Sequence, residues 1–278
     1  MKKERLDVFL TEQGFYPTRE KAKAAIMAGL VFVDGERVDK AGNKIKTDAR
    51  IDVKGDLHPY VSRGGLKLEK ALRTFHFTME GKVVIDIGAS TGGFTDCALK
   101  NGARLVYSVD VGYGQLAWQL RQDPRVIVME RTNFRHLKVE DLQADRPEVA
   151  VMDVSFISVR LLFPVIKNVL VQGGTLISLI KPQFEAGREK VGKNGIVREP
   201  ETHKEVLLTT MKAAVAEGFE VKDITFSPIT GGDGNIEFLA YLRSTEQPLL
   251  NEQELTEAVV AAVQAAHSTL QNSAQNVN

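Results

Sequence analysis

Asp86-Ile87-Gly88-Ala89-Ser90-Thr91-Gly92-Gly93-Phe94 follows an apolar run, Val83-Val84-Ile85, and opens a helical stretch. Small residues there let the backbone approach a ligand and take up positive φ. The loop lacks the Gly-Lys-Ser/Thr ending of a phosphate cradle, and Ala89-Ser90 stands where G-x-G-x-x-G needs its second glycine. A second acid, Asp110, closes the next apolar run, Leu105–Val109, where a carboxylate can accept both hydroxyls of a ribose. An acid on strand one, a glycine-rich loop and an acid ending strand two fit the methyltransferase variant of the Rossmann sheet. The expected cofactor is S-adenosylmethionine, held by Asp86, Gly88, Ala89, Ser90, Thr91, Gly92, Gly93, Phe94, Asp110 and Asp153.

Four further residues suit a hydroxyl acceptor. Asp153 ends the run Val149–Met152, Lys181 follows Leu179-Ile180, Glu237 interrupts the apolar stretch 236–242, and Lys67 lies on a helix before strand one. The carboxyl edge of such a sheet is where ligands bind. A hydroxyl must lose its proton as it attacks, and a desolvated lysine beside another cation can take it. The carboxylates would orient the lysines, while Lys70 competes for the role of Lys67. The Asn/Asp-Pro-Pro-aromatic clamp of amino-group methylation is absent after Asp153. The single cysteine, Cys97, sits in the helix after the glycine loop, which argues against a covalent cysteine mechanism.

The elements that must position these groups alternate between strands and helices from Gly64 to about Arg243, with helical segments such as 94–101 and 158–171. That alternation implies a mostly parallel sheet with helices on both faces. Phe219–Phe226 and Ile236–Leu242, joined through Gly231-Gly232-Asp233-Gly234, read as a terminal hairpin that adds an antiparallel strand. Ahead of this domain, Leu6–Leu10 and the stretch after Thr18 read as two helices. Asp34-Gly35 between short β-rich runs reads as a hairpin. The fold class is therefore α/β, a Rossmann-like methyltransferase sheet with an antiparallel terminal strand, plus a small N-terminal α+β domain. The divisions are 1–58, a linker at 59–63, the catalytic domain 64–250, and a C-terminal helix and tail 251–278, with its helix at 251–270 and a frayed end beyond.

The 278 residues carry 36 Lys+Arg and 36 Asp+Glu, so a uniformly basic coat is excluded but a local patch is not. Residues 1–58 hold twelve basic and ten acidic residues, and the last 35 hold four Glu and no Lys or Arg, so a polyanion meets the N-terminal end first. With one cysteine there is no intramolecular disulfide and no four-Cys zinc site. Neither an apolar signal core nor a membrane-spanning run is present, which makes a cytoplasmic protein the expectation.

Residues 64–243 resemble the FtsJ-like ribose 2′-O-methyltransferases, through Ser62-Arg63-Gly64-Gly65-Leu66-Lys67-Leu68, Met152-Asp153-Val154-Ser155-Phe156, Ile180-Lys181-Pro182-Gln183-Phe184-Glu185 and Asn235-Ile236-Glu237-Phe238. The resemblance implies a catalytic tetrad of Lys67, Asp153, Lys181 and Glu237, with Lys181 as base. Residues 5–53 resemble the S4 RNA-binding module, in Arg5-Leu6-Asp7, Thr18–Ala22 and Gly29–Gly35, with Ala41-Gly42 where many examples have a proline. The two in this order are similar to the TlyA family. That similarity implies methylation of cytidine 2′-hydroxyls in ribosomal RNA, with ribosomal RNA or ribosomal subunits as partners; some members are labelled haemolysins.

Arg19 and Lys23 stand at i and i+4 on one helix face, and Arg5, Lys21, Lys44, Lys46 and Arg63 are further candidates for RNA phosphates. Arg188, Lys190 and Lys193 lie in a basic, glycine-punctuated segment after Lys181, read either as a mobile substrate-gripping loop or as an ordinary exposed one. Two other functions stay open. One is a non-catalytic RNA-binding or ribosome-assembly factor, which an incomplete tetrad would favour. The other is a membrane-active haemolysin, whose one candidate helix, 251–270, is acidic and lacks the cations and tryptophan of an interfacial helix.

Overall fold

Short β-rich runs and two amphipathic stretches build the N-terminal unit, and continuous apolar runs become the buried strands of the second. A computed structural model describes residues 3–27, 29–53, 58–231 and 234–275. Its contacts divide the chain into two compact units, Met1–Arg63 and Gly64–Asn278.

In the first unit, β1 (Lys3–Arg5) runs into α1 (Leu6–Glu12), followed by α2 (Arg19–Met27), β2 (Val31–Val33), β3 (Glu36–Arg37), β4 (Lys44–Lys46) and β5 (Ile51–Val53). Thr18 caps α2 by accepting the Lys21 N–H at 3.2 Å. Asp34 and Gly35 both have positive φ, 51° and 85°, as the tight turn between β2 and β3 requires. Leu6, Leu10, Ala22, Ala25, Ile26 and Val31 form the core.

Asp7 lies inside this unit, 0 % exposed. Arg5 donates to it at 2.9 and 3.2 Å, and Arg19 at 2.9 Å. The Arg5 hydrogen bond, helped by Arg19 and opposed by burial, holds the Asp7 carboxyl at about 2, below its ordinary 3.8. A depressed carboxylate stabilises above its unfolded value and loses that contribution as pH falls toward the folded one. Asp7→Ala is therefore expected to cost about 2 kcal/mol near neutral pH and progressively less from pH 4 toward 2. Urea unfolding of the full chain at pH 7 and pH 3 checks this; an equal loss at both would show that Asp7 acts through packing alone.

The second unit opens with α3 (Gly64–Thr74). It continues through β6 (Val83–Ile87), α4 (Gly93–Lys100), β7 (Leu105–Val109), α5 (Trp118–Arg121), β8 (Val126–Met129), β9 (Val149–Met152), α6 (Phe163–Val169), β10 (Thr175–Ile180), α7 (Pro182–Glu185), α8 (Pro200–Ala216), β11 (Phe219–Phe226), β12 (Phe238–Ser244) and α9 (Glu252–Gln275). The strand order is β11-β12-β10-β9-β6-β7-β8. Strands β10, β9, β6, β7 and β8 run parallel, and β12 is antiparallel to both β10 and β11. The fold is the mostly parallel α/β sheet with a terminal antiparallel strand expected from the alternation. Chain direction reverses on either side of β6, so a crevice opens at the carboxyl ends of β6, β7 and β9.

Two details differ from the sequence reading. Glu237 precedes β12 instead of lying within it. Its carbonyl accepts the Ser227 N–H at 2.8 Å, and its side chain turns inward to a lysine. The C-terminal helix continues to Gln275, while 276–278, like Gly232 and Asp233 of the hairpin turn, lie outside the described residues. Helix α9 also belongs to the core of this unit, where Leu255, Val259, Val263 and Ala266 are buried.

Candidate active site

Each of the four proposed catalytic side chains stands where an element begins or ends, except Lys67, which sits in the first turn of α3 with its side chain inward. They form one chain of alternating charge. Glu237 Oε2 lies 2.7 Å from Lys67 Nζ, Lys67 Nζ lies 3.3 Å from Asp153 Oδ2, and Asp153 Oδ1 lies 2.6 Å from Lys181 Nζ. Lys181 Nζ also donates to Ser155 Oγ at 2.8 Å. The inner pair is the more buried: the Glu237 and Lys67 side chains are 3 % and 8 % exposed, those of Asp153 and Lys181 20 % and 11 %. Burial alone would lower the Lys67 ammonium, but Asp153 and Glu237 reverse the sign and hold it above its ordinary value. Burial would raise Asp153, and Lys67 and Lys181 together hold it low. Lys67 and Asp153 thus stay ionised, and the outer pair presents a lysine to the crevice.

The competition between Lys67 and Lys70 is resolved by the helix phase. Lys70 Nζ sits 3.1 Å above the Phe226 ring, away from the tetrad. Burial, with Arg73 adding to it, lowers Lys70 to about 8.

A cavity of about 420 Å³ adjoins the outer pair, within the ordinary range for small-ligand sites. Gly88, Ser90, Asp110 and Asp153 line it, with Val109 and Phe156 among the apolar walls. Asp110 accepts the Ser90 N–H at 2.8 Å and the Gly112 N–H at 2.7 Å, which fixes its carboxylate at the end of β7. Asp86, predicted to hold the cofactor, does not line this cavity and is fully buried; Thr95 donates to its Oδ2 at 2.6 Å, and Oδ1 has no hydrogen-bond partner among the described residues. Burial pushes this carboxyl up to about 7, against the Thr95 hydrogen bond. An apolar-walled cavity beside two acidic strand ends and an open backbone fits a nucleoside bearing a cationic amino-acid arm.

Gly88 shows why the loop is glycine-rich. Its φ is 85°, and a Cβ there would stand 2.6 Å from the Asp153 carbonyl oxygen. Gly88→Ala is expected to weaken cofactor binding roughly tenfold or more, by adding strain and pushing apart the ends of β6 and β9. Calorimetric titration with S-adenosylmethionine checks it, and unchanged affinity would remove the loop from the cofactor site.

Other predicted cofactor residues fall elsewhere. Ala89, Gly93 and Phe94 are buried, and none of these three, nor Thr91 or Gly92, lines the cavity. Sequence reasoning missed Ser155, the second partner of Lys181, and Thr132, Asn133 and Phe134, which line the cavity beyond β8. Their position past a parallel strand end was the available signal. It also missed Phe156, 91 % exposed with φ 63°, a backbone state that is an outlier for a bulky residue. Its ring stands 5.1 Å from that of Phe184.

The predicted RNA contacts are exposed except Lys23, which is half-buried. In the N-terminal unit, Lys3 pairs with Lys46 and Arg5 with Lys44 across β1 and β4. That puts four cations on one face of a two-stranded ribbon, of which Arg5 is paired with Asp7. Lys3 was not singled out in the sequence. In the second unit, Arg188, Lys190 and Lys193 occupy two short 3-10 turns, and Lys190 pairs with Glu205. The segment is thus built around two defined turns. Among the described residues no helix is long and apolar enough to cross a membrane.

Comparison with known proteins places the chain. Residues 60–244 match the FtsJ-like methyltransferase model and residues 4–51 the S4 domain. The chain is 55 % identical over 276 residues to the Bacillus subtilis protein named "Putative rRNA methyltransferase YqxC", covering 99 % of this chain and 98 % of that one. It is 37 % identical over 260 residues to the Mycobacterium tuberculosis protein named "16S/23S rRNA (cytidine-2'-O)-methyltransferase TlyA", covering 93 % and 97 %. A solved structure described as "Putative hemolysin from Streptococcus thermophilus" superposes with a TM-score of 0.79 at 51 % identity, over 99 % of both chains.

Proposed function

The chain belongs to the FtsJ-like methyltransferase family, and from that membership we propose that it methylates the ribose 2′-hydroxyl of cytidine in ribosomal RNA. S-adenosylmethionine is its cofactor and supplies an electrophilic methyl group. The observation that carries the reading is the complete chain Glu237–Lys67–Asp153–Lys181 opening onto the cavity.

Gly88, Ser90 and Asp110 would hold the cofactor, and the carboxylate of Asp153 lies at the same wall. Lys181, entering the step as the free amine after releasing a proton to solvent, accepts the proton of the attacking hydroxyl on Nζ. Asp153 and Ser155 aim Lys181, and Lys67, locked between Asp153 and Glu237, keeps Asp153 ionised. The exposed ring of Phe156, beside the half-buried ring of Phe184, offers a face to a base turned out of its stack, which a ribose inside folded RNA needs before it can reach a recessed lysine. In the N-terminal unit, the cation ribbon of β1 and β4 takes phosphates, which position the RNA without reading its sequence. A cytoplasmic location follows from a ribosomal substrate.

The complete tetrad disfavours a purely binding or assembly role. A membrane-lytic role is disfavoured by α9, because its apolar stripe is already buried in the second unit. The test is methyl transfer from labelled S-adenosylmethionine to ribosomal subunits from cells lacking this gene, followed by nucleoside analysis. A labelled 2′-O-methylcytidine supports the reading. Label on a base would overturn the tetrad's role, and cofactor binding without transfer to any RNA would leave the assembly role.

A further inference from the structure

The segment between Lys181 and β11 carries exposed cations, and its far end is clamped from inside the fold. Gly192 donates to Ile196 O at 3.0 Å and Gly195 to Gly192 O at 3.2 Å, closing a turn with Lys193 inside it. Asn194 and Gly195 are both left-handed, at φ 64° and 72°. The turn is gripped by Asn235, which is 1 % exposed. Asn235 Nδ2 donates to Gly195 O at 3.0 Å, and Asn235 Oδ1 accepts the Val197 N–H at 3.0 Å. Asn235 stands two residues before Glu237, and Gly231 donates to its carbonyl at 2.9 Å.

A second clamp meets the same place. His203 of α8, 0 % exposed, has Nε2 3.2 Å from Val197 O and Nδ1 2.9 Å from His267 Nε2 of α9. A carbonyl can only accept, so His203 Nε2 carries the proton. Burial, with His267 adding to it, holds His203 at about 4, so its Nδ1 accepts from His267. The basic segment therefore starts at one tetrad member, Lys181, and is fastened beside another, Glu237.

We infer that Asn235 is a positioning residue for RNA: it fixes the Gly192–Gly195 turn, and with it Lys193, at a set place relative to the tetrad, so that a phosphate held by Lys193 brings the ribose hydroxyl to Lys181. This rests on the methyl-transfer reading and adds to it a residue that touches neither RNA nor cofactor. A buried amide satisfied at both ends is a costly bond to lose. Its two partners lie on the segment carrying Lys193, so its loss acts first on RNA placement.

The experiment compares Asn235→Ala, Lys193→Ala and the double variant in the full chain, with RNA affinity, KM for the methylated subunit, kcat and cofactor affinity, and, for wild type and Asn235→Ala, the rate of tryptic cleavage after Lys193. Asn235→Ala is expected to raise KM and weaken RNA binding by about tenfold, lower kcat by less than about threefold, leave cofactor affinity unchanged and speed cleavage. The double variant is expected to be no worse than the worse single one, because both act through one contact. Unchanged RNA binding and KM, a loss confined to kcat, or multiplying effects in the double variant would overturn the inference. Should Asn235→Ala not fold, Asn235→Asp keeps the acceptor for Val197 and loses the donor to Gly195, and the same readouts apply. A wild-type chain that methylates no RNA overturns the functional reading alone, because RNA affinity and tryptic protection still test the clamp.

Discussion

Lys181→Met is expected to lower kcat for RNA methylation by about 10²- to 10⁴-fold, the usual contribution of a positioned general base, while cofactor affinity stays within about twofold. Methionine keeps the length and apolar stem of lysine, so the end of β10 and the start of α7 have no reason to shift. What disappears is the Nζ held by Asp153 at 2.6 Å and Ser155 at 2.8 Å. Those partners leave one direction for Nζ to meet a hydroxyl entering from the crevice. Lys181→Arg separates two roles. A guanidinium keeps the charge beside Asp153 but does not give up its proton at any working pH. Arginine therefore rescues the variant if Lys181 only neutralises Asp153, and fails if it takes the proton. Single-turnover methyl transfer with both variants, beside calorimetric cofactor binding, reads the difference. Retention of more than about a tenth of wild-type kcat by the methionine variant would remove Lys181 as base.

Three of the parallel strands and their end residues were legible because each is a largely apolar run followed by a charge: Asp110 after β7, Asp153 after β9, Lys181 after β10. A charge that ends a buried run faces the carboxyl edge wherever the sheet is parallel, so placement followed from pattern. Lys67 against Lys70 was open, because both lie on one amphipathic helix and only its rotation against the sheet separates them. Phe156 was illegible for another reason. Its exposure depends on a left-handed backbone, which sequence does not announce for a phenylalanine. The clamp on the basic segment was hidden by distance, since Asn235 reaches back 38 and 40 residues to Val197 and Gly195. Within the glycine loop, Gly88 is required by the approach of Asp153 O, whereas Phe94 turns into the core although it sits in the same motif.

Lys67→Met is expected to give the largest loss of stability among the site's single substitutions, about 3–5 kcal/mol near neutral pH. Lys67 is 7 % exposed and lies between Asp153 and Glu237. Removing it leaves Glu237, 2 % exposed, without the ammonium that faces it and leaves Asp153 with Lys181 alone. Uncompensated buried carboxylates are costly, and they relieve that cost by taking up protons. The pH dependence therefore changes sign. In the wild type, Asp153 is held below its ordinary value, so its contribution to stability is present above the unfolded value near 4 and lost as pH falls through the lower folded one. In the variant, Glu237 is buried without its counter-charge, so keeping it ionised costs stability as pH rises. The gap between wild type and variant is thus widest at pH 7–8 and narrows toward pH 4–5. Urea unfolding followed by circular dichroism at pH 7.5 and pH 5 measures it. Adding Glu237→Gln to Lys67→Met removes the stranded charge, so the double variant should be more stable than Lys67→Met alone at pH 7.5 and nearly equal to it at pH 5. A gap that does not change with pH, or a double variant no better than the single one, would mean that Lys67 acts through packing and not as the counter-charge that keeps Asp153 ionised.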